Sequence, residues 1–293
     1  MPLIAIPVVN DAATIAMIII SMYLQAQSCL PEGITFTTQA QIDSFQINYP
    51  GCTEIEGNVV INGADIVNAD SLNILSYIKG SLGIGTFPSG GNPILITFTG
   101  LDNLDTIEGS LNIGGNDSLA SILGMNSLKY VGDDLTIGTH DCSNISLSDI
   151  SGLSNLNHIG GSLIINRNPL LADLNSLNNL AFVGGELYIG YPFGHSPFGN
   201  SSLTNITGLA NLEYIGGGIN ITYNDLLEDL DGLENIVAIG GHISIDGNNK
   251  LLNLDGLQNI DAGTIEGLWI SDNSKLSSCH VLSICEYLAA PNS

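Results

Sequence analysis

Carboxylates are the most abundant side chains in this sequence that could do chemistry. Asp231 and Asp255 occupy the same position in successive sequence repeats, and Asp229 lies nearby. Like charges about 5 Å apart either shift a pKa or attract a cation such as Ca²⁺. These three residues are therefore a weak Ca²⁺ candidate, and a solvated acidic face is the alternative. We otherwise expect no metal or cofactor.

Residue patterns that would support catalysis are sparse. His140, Asp141 and His195 could meet at a metal, but no motif such as HExxH fixes their spacing. Arg167 stands apart from the other cations, whereas a polysaccharide lyase needs a basic residue beside its substrate. No GxSxG motif for a serine nucleophile is present. We therefore predict a protein that is not an enzyme.

Apolar and aromatic residues form a stronger candidate site, for binding rather than catalysis. An eight-residue insertion within 190–199 is rich in Tyr, Phe and Pro, and it adjoins two residues predicted to point outward from neighbouring strands. An exposed apolar patch on so acidic a chain is typical of a partner site. The alternative is that the insertion packs against its own sheet. The predicted ligand-binding residues are Ile164, Tyr188, Tyr191, Phe193, His195 and Phe198.

A repeat of 24 residues positions these side chains. Each repeat begins with a small residue followed by Leu or Met, at positions 71, 100, 124, 152, 176, 208, 232 and 256. Three of the steps between these positions exceed 24 residues, by 5, 4 and 8, so three repeats carry insertions. Within each repeat an L-x-I triplet alternates with period two, which predicts a short strand with one outward residue between two inward ones. The other apolar residues recur every third position between Gly-Gly and Asn, a pattern too broken for long helices. Each repeat therefore predicts one coil of a solenoid.

Three rows of residues recur at fixed positions in the coil. The outward residues of the triplets form one row: Val60, Gly83, Asn112, Thr136, Ile164, Tyr188, Asn220, Ser244 and Trp269. Side-chain amides that can satisfy turn backbone groups form the second: Asn92, Asn116, Asn144, Asn168, Asn200, Asn224, Asn248 and Asn273. Rings that should stack along the solenoid axis form the third: Tyr77, Tyr130, His158, Phe182 and Tyr214. His158 is therefore predicted to be structural.

The charge of the chain excludes several classes of function. Among 293 residues, 29 are acidic and five are Lys or Arg, so the formal net charge is −24. Such a chain repels nucleic-acid phosphates and anionic lipids. The phosphate-binding motif GxxxxGK[ST] does not occur. We therefore predict no nucleic-acid partner.

The first 26 residues predict export. An apolar run over 12–23 is followed by Leu-Gln-Ala, as in a secretory signal peptide with its cleavage site, although the residues before the run include no Lys or Arg. The run is too short to span a bilayer comfortably. We therefore predict a secreted or cell-surface protein that does not insert in the membrane after signal removal.

The five cysteines fit an oxidising compartment. Cys29 and Cys52 bracket a segment in which apolar Ile42, Phe45 and Ile47 suggest a short helix, and we predict a disulfide between the two cysteines. Lipidation of Cys29 is the alternative, because a small residue precedes it. Cys279 and Cys285 are close enough to pair, which is a weaker prediction. Cys142 is left without an assigned partner.

The motif L-x-x-I-G-G-x-L-x-I-x-x-N, as in LNHIGGSLIINRN and LEYIGGGINITYN, resembles the receptor L domain over 29–288. L domains are right-handed β-helices that form the ligand-binding lobes of insulin- and growth-factor-receptor ectodomains. The chain looks most like bacterial exported proteins built from such repeats. The resemblance implies a sheet face that meets ligand and a further C-terminal sorting or anchoring region. A leucine-rich-repeat horseshoe is the alternative, because L-x-I-x-x-N also fits its strand.

The predicted fold is an all-β, right-handed parallel β-helix of about nine coils. We expect a signal peptide over 1–26, an N-terminal cap over 27–54, the repeat domain over 55–276 and a C-terminal helical cap over 277–293. The predicted function is non-catalytic recognition or adhesion by a monomer that binds a protein or a glycan at the bacterial envelope. A carbohydrate-active β-helix enzyme and a structural spacer are the alternatives.

Overall fold

The computed structural model describes residues 27–85, 90–139, 142–190, 199–278 and 281–290. Within these ranges the strands form two all-parallel sheets, and neighbouring strands in each sheet come from successive coils. The longer sheet has ten described strands: β2 (Ile34–Phe36), β4 (Val59–Ile61), β6 (Leu82–Ile84), β8 (Leu111–Ile113), β10 (Leu135–Ile137), β12 (Leu163–Ile165), β14 (Leu187–Ile189), β16 (Ile219–Thr222), β17 (His242–Asp246) and β18 (Gly267–Ser271).

The shorter sheet and a row of tight turns form the other two sides of the coils. Eight strands of this sheet lie in the described ranges: β1 (Gln27–Cys29), β3 (Cys52–Ile55), β5 (Tyr77–Ile78), β7 (Thr106–Ile107), β9 (Tyr130–Val131), β11 (His158–Ile159), β13 (Phe182–Val183) and β15 (Tyr214–Ile215). The turns include short 3₁₀ helices at Asp70–Leu72, Thr99–Leu101, Ser151–Leu153, Asn175–Leu177, Thr207–Leu209, Asp255–Leu257 and Ala262–Thr264.

This architecture confirms the predicted right-handed parallel β-helix, and the horseshoe alternative is wrong. A horseshoe has one sheet and a helical outer side, whereas here a corner with one or two glycines turns the coil directly from one sheet into the other. A Cβ atom on Gly160 would lie 2.0 Å from the Gly132 carbonyl oxygen of the preceding coil. Only glycine therefore allows the coils to approach so closely at this corner.

The solenoid interior is a stack of aliphatic side chains. Leu163 and Ile165 are fully buried, whereas Ile164 between them is partly exposed, as the period-two pattern predicts. Leu163 pairs in register with Leu135 on one side and Leu187 on the other. Full burial of such a side chain contributes about 1.5–3 kcal/mol. The repeated ladders therefore provide the main stabilisation of the fold.

The predicted Asn ladder is confirmed, and it runs unbroken along one inner corner. The Asn168 Nδ2 group donates to the Asn200 Oδ1 atom of the next coil (3.3 Å) and to the Ile137 carbonyl of the preceding coil (2.9 Å). Equivalent amide contacts join consecutive members from Asn92 to Asn273. The ladder therefore satisfies buried turn carbonyls that would otherwise lack a donor.

A second Asn row lies on the exposed side of the turns and was not predicted. The Asn179 Nδ2 group donates to the Ser154 carbonyl at 2.6 Å. The same contact with the preceding coil recurs at Asn103, Asn155, Asn211, Asn235 and Asn259. These residues are the Asn of the G-L-x-N-L part of the repeat, so the pattern was visible in the sequence but its role was not assigned.

The aromatic row forms a stack on the outer surface of the eight-stranded sheet. Ring centroids are 4.8 Å apart for Tyr130 and His158, 4.4 Å for His158 and Phe182, and 4.8 Å for Phe182 and Tyr214, with ring planes within 8° of parallel. Tyr77 shares the row, but Thr106 pairs between it and Tyr130. Its predicted place in a continuous stack is therefore wrong, because the row is interrupted by one non-aromatic residue.

The N-terminal segment carries strands as well as the predicted helical cap. Helices α1 (Gln39–Asp43) and α2 (Phe45–Asn48) bury Ile42 and Phe45, while Ile47, which was expected on the same apolar face, is 81% exposed. The predicted Cys29–Cys52 disulfide is confirmed. It joins β1 to β3 and occupies the sulfur atom that lipidation of Cys29 would require.

A short helix packs on the last coil. Helix α3 (Leu282–Ala289) buries Ile284 and Tyr287, and the Ser283 hydroxyl donates to the Leu257 carbonyl at 2.8 Å. An open cleft of about 400 Å³ remains beside it, lined by Leu268, Ile270, Leu276, Ser277, Ser278, Ile284 and Leu288. Over the described ranges, no helix has the length and apolar character needed to cross a membrane.

Candidate functional site

The outward side chains of the ten-stranded sheet form a single row along the solenoid, here called the outward row. Register pairing aligns one residue from each described strand: Thr35, Val60, Gly83, Asn112, Thr136, Ile164, Tyr188, Asn220, Ser244 and Trp269. Most members are small or polar. Large side chains are confined to the C-terminal half of the row, where Ile164, Tyr188 and Trp269 lie. This half is therefore the part of the row with the most contact surface for a partner.

Tyr188 is held in place by polar neighbours on the same surface. Its phenol hydrogen-bonds with the Glu186 carboxylate two residues earlier on the chain. The Asn220 Nδ2 group also donates to Glu186, at 3.1 Å. Burial and then this carboxylate raise the pKa of the Tyr188 phenol above its usual value, so the phenol stays a hydrogen-bond donor at neutral pH. The ring is therefore held in a fixed position on the sheet.

Ile164 and Tyr188 are brought together as predicted, because β12 and β14 pair with these two residues opposite each other. Both side chains are partly exposed. The four insertion residues assigned to the same patch, Tyr191, Phe193, His195 and Phe198, lie outside the described residues. The structure therefore shows that Ile164 and Tyr188 are adjacent, and the binding role of these two residues and of the insertion stays a prediction.

Trp269 is a second large aromatic residue on the outward row, and sequence reasoning placed it there without assigning it a role. Its side chain is 56% exposed. The His242 ring meets it almost perpendicularly, with ring centroids 4.9 Å apart. A Cβ atom on Gly267 would come within 3.1 Å of the indole, so the glycine makes room for this ring. The missed signal was the G-x-W pattern beside a His on the neighbouring strand.

The acidic residues at the tight turns do not assemble into a metal site. The Asp229 Oδ1 atom accepts the backbone N–H of Asp231 at 3.2 Å, which makes Asp229 a turn cap. Burial, and then the charges of Asp229, Glu234 and Asp255, raise the pKa of Asp231. Within the described part of the chain, no group of three or more His, Cys, Asp or Glu side chains could hold a metal ion. We therefore interpret this set as a solvated acidic face.

The same turn cap recurs in other coils, which explains the row of short polar residues. The Asp149 carboxylate accepts the Ser151 N–H at 2.8 Å, and the Asn253 side chain accepts the Asp255 N–H at 2.9 Å. Burial opposes ionisation of Asp149, but hydrogen bonds from Ser121 and Ser151 lower its pKa overall. These Asp and Asn side chains therefore have a structural role, since each satisfies a backbone donor at the start of a turn.

The remaining candidates for chemistry are dispersed. Arg167 has a left-handed backbone conformation (φ 55°) at the corner before the Asn ladder. Cys142 carries a half-buried free thiol, and His140 and Asp141 beside it lie outside the described residues. Cys285 is exposed on α3, and Cys279 lies outside the described residues, so their pairing stays a prediction.

The aromatic stack on the opposite sheet is a less suitable binding surface. His158 and Phe182 each have a ring stacked on both faces, so their faces are covered by neighbours. Tyr130 and Tyr214 at the ends of this stack are 38% and 49% exposed. They therefore serve as matched exposed aromatic residues against which the outward row can be tested.

Comparisons with known proteins identify no family for this chain. No protein-family model matches it, and no curated protein matches it. The resemblance to the receptor L domain therefore rests on the repeat motif alone.

Proposed function

We propose that this chain is an exported, non-catalytic recognition module of the receptor L domain type. It binds a protein or a glycan through the C-terminal half of the outward row. The observation that carries this proposal is that Ile164 and Tyr188, which are partly exposed, and Trp269, which is exposed, lie on one regular sheet face. Large apolar groups that remain exposed on an acidic chain are typical of interaction sites.

The covalent chemistry of the chain is compatible with an extracellular location. The Cys29–Cys52 bridge is of the kind that persists in oxidising compartments. The apolar run over 12–23 that predicts a signal peptide lies outside the described residues. Secretion or display at the bacterial surface is therefore part of the proposal.

The test is binding of the full chain to immobilised glycans and extracellular proteins, with variants on each sheet. Tyr188→Ala should weaken binding to the recognised target about tenfold, as expected for a central interface aromatic. Tyr214→Ala removes a ring that is 49% exposed on the opposite sheet, more than the partly exposed Tyr188, and this variant should bind like the parent. Both variants should melt cooperatively, which shows that they are folded.

Three results would contradict the proposal. Equal binding by the parent and Tyr188→Ala would place the interaction elsewhere on the surface. Absence of binding to every immobilised target would favour the structural-spacer alternative, and release of reducing ends from any glycan would favour the enzyme.

A further inference from the structure

Tyr188 and Trp269 mark the two ends of a strip on the outward row. Tyr188 pairs in register with Asn220, Asn220 with Ser244, and Ser244 with Trp269. Because neighbouring strands lie about 4.8 Å apart, about 14 Å of sheet separates the two end residues. These four residues, called the strip, form a shallow platform with an aromatic side chain at each end and short polar side chains between.

The aromatic ends of the strip offer apolar surface at fixed positions. The Trp269 side chain is 56% exposed and packs against the perpendicular His242 ring. Tyr188 is partly exposed, and its hydroxyl is held by Glu186. Rings that are already positioned in this way lose little conformational freedom on binding. They can pack against the C–H-rich face of a sugar ring.

The centre of the strip offers hydrogen-bonding groups instead of an apolar core. Asn220 and Ser244 carry an amide and a hydroxyl, and both are partly exposed. The Glu186 carboxylate accepts a hydrogen bond from Asn220 at 3.1 Å and has further acceptor capacity. Protein–protein interfaces place apolar residues at their centre and polar residues at their rim. The strip has the reverse order, which suits a ligand covered with hydroxyl groups.

The charge of the strip selects among glycans. None of its residues is Lys or Arg, and the whole chain has a formal net charge of −24. Uronates and sulfated sugars would meet repulsion from the acidic surface without a cation to pair with. An uncharged glycan avoids this cost.

We infer that the strip binds an uncharged oligosaccharide lying across the strands. One sugar ring packs on Trp269 and another on Tyr188, and hydroxyl groups between them are hydrogen-bonded by Asn220, Ser244 and Glu186. This inference rests on the proposed function, because it specifies the ligand class and extends the site to Trp269.

The experiment uses the intrinsic fluorescence of the full chain, because Trp269 is its single tryptophan. The chain is titrated with soluble hexasaccharides of cellulose, chitin, mannan and starch, and with hexagalacturonate as the anionic probe. We expect at least one uncharged probe to shift or quench the Trp269 emission in a saturable manner. Hexagalacturonate should leave the emission unchanged.

Variants separate the strip from the rest of the surface, with binding measured by calorimetry. Trp269→Ala should weaken binding of the active hexasaccharide at least about tenfold, whereas Trp269→Tyr keeps a ring and should stay within about threefold of the parent. Tyr188→Ala should also weaken binding, and it retains the Trp269 signal. Tyr130→Ala removes an exposed ring from the other sheet and should bind normally.

The outcomes distinguish this inference from the proposed function. If no uncharged hexasaccharide changes the emission or gives binding heat, the inference is wrong. If the chain then binds a protein target with loss of binding in Tyr188→Ala, the proposed function stands without it. If the anionic probe binds as tightly as the uncharged ones, or Trp269→Ala binds like the parent, the assignment of the strip is overturned.

Discussion

Replacement of Asn168 by Ala should destabilise the fold strongly, because this residue lies in the middle of the buried Asn ladder. Its Nδ2 group donates to the Ile137 carbonyl (2.9 Å), the Asn166 carbonyl (2.8 Å) and the Asn200 side chain (3.3 Å). Its Oδ1 atom accepts from the Asn144 Nδ2 group at 3.2 Å. Because the amide has two N–H groups, the three Nδ2 contacts share two hydrogens, and with the Oδ1 contact they amount to about three full hydrogen bonds. At about 1 kcal/mol each, we predict a loss of about 3 kcal/mol in the free energy of unfolding.

The control is Asn179→Ala in the following repeat. Asn179 is exposed, and its Nδ2 group donates to the Ser154 carbonyl of the preceding coil at 2.6 Å. Water can replace this bond, so we expect a loss of about 0.5 kcal/mol. Urea unfolding followed by far-UV circular dichroism measures both variants, and the midpoint should fall while the slope stays unchanged. Equal losses in the two variants would refute the idea that the buried ladder supports the coil corner.

Three further predictions concern facing, the N-terminal bridge and alkaline pH. Leu163→Asp should lower the free energy of unfolding by about 3 kcal/mol or more, because it places a charge in the core. Ile164→Asp, on the outward side of β12, should change the free energy of unfolding by less than about 1 kcal/mol. Similar melting temperatures for the two variants would contradict the assignment of inward and outward residues on β12. Cys52→Ser should lower the free energy of unfolding by roughly 3 kcal/mol, because it removes the disulfide. Peptide mapping of the parent without reduction should recover the linked Cys29–Cys52 pair, and a free thiol at either cysteine would argue against the bridge. The hydrogen bond to Glu108 raises the pKa of Tyr77 to about 12. Because this folded-state pKa lies above the unfolded value of about 10, the contribution to stability is present below pH 10 and is lost towards pH 12. Spectrophotometric titration of Tyr77→Phe should lack one late-titrating phenol, whereas loss of a phenol that titrates near about pH 10 would show that Tyr77 ionises normally.

The repeated parts of the fold were predictable because the same sequence pattern recurs in every coil. The triplet around Ile164 predicted two buried neighbours and one outward side chain, and the structure has this arrangement. The Asn row predicted a buried ladder, which the amide contacts confirm. In both cases the same requirement, burial of apolar side chains or hydrogen bonding of buried turn carbonyls, applies to each coil. Neighbouring repeats therefore reinforce the prediction.

The prediction failed where a residue's environment is set by the adjacent coil or by a non-repeating segment. Tyr77 fits the aromatic row by position, but Thr106 on the next coil interrupts the stack. Ile47 is one of the apolar residues that suggested a helix, yet on the four-residue helix α2 it is 81% exposed while Phe45 is buried. Strand β2 in the predicted cap has no repeat motif, so only its pairing with β4 reveals it.

The candidate site was predicted only in part, for a similar reason. Pairing of Ile164 with Tyr188 follows from the repeat register. The exposure of Trp269 depends on Gly267 beside it and on the His242 ring of the preceding strand. Neither condition is visible from the L-x-I pattern, because both conditions depend on which side chains of two neighbouring strands share a surface.

The most direct test of the central claim compares removal of two exposed aromatic rings from each sheet. The double variant Tyr188→Ala/Trp269→Ala removes both rings from the outward row. The double variant Tyr130→Ala/Tyr214→Ala removes two rings from the opposite sheet. Affinity for the recognised target is measured for both double variants and the parent. If the outward row is the recognition surface, the first variant binds at least about tenfold more weakly and the second binds like the parent. Equal affinity in the first variant, or a greater loss in the second, would contradict the account.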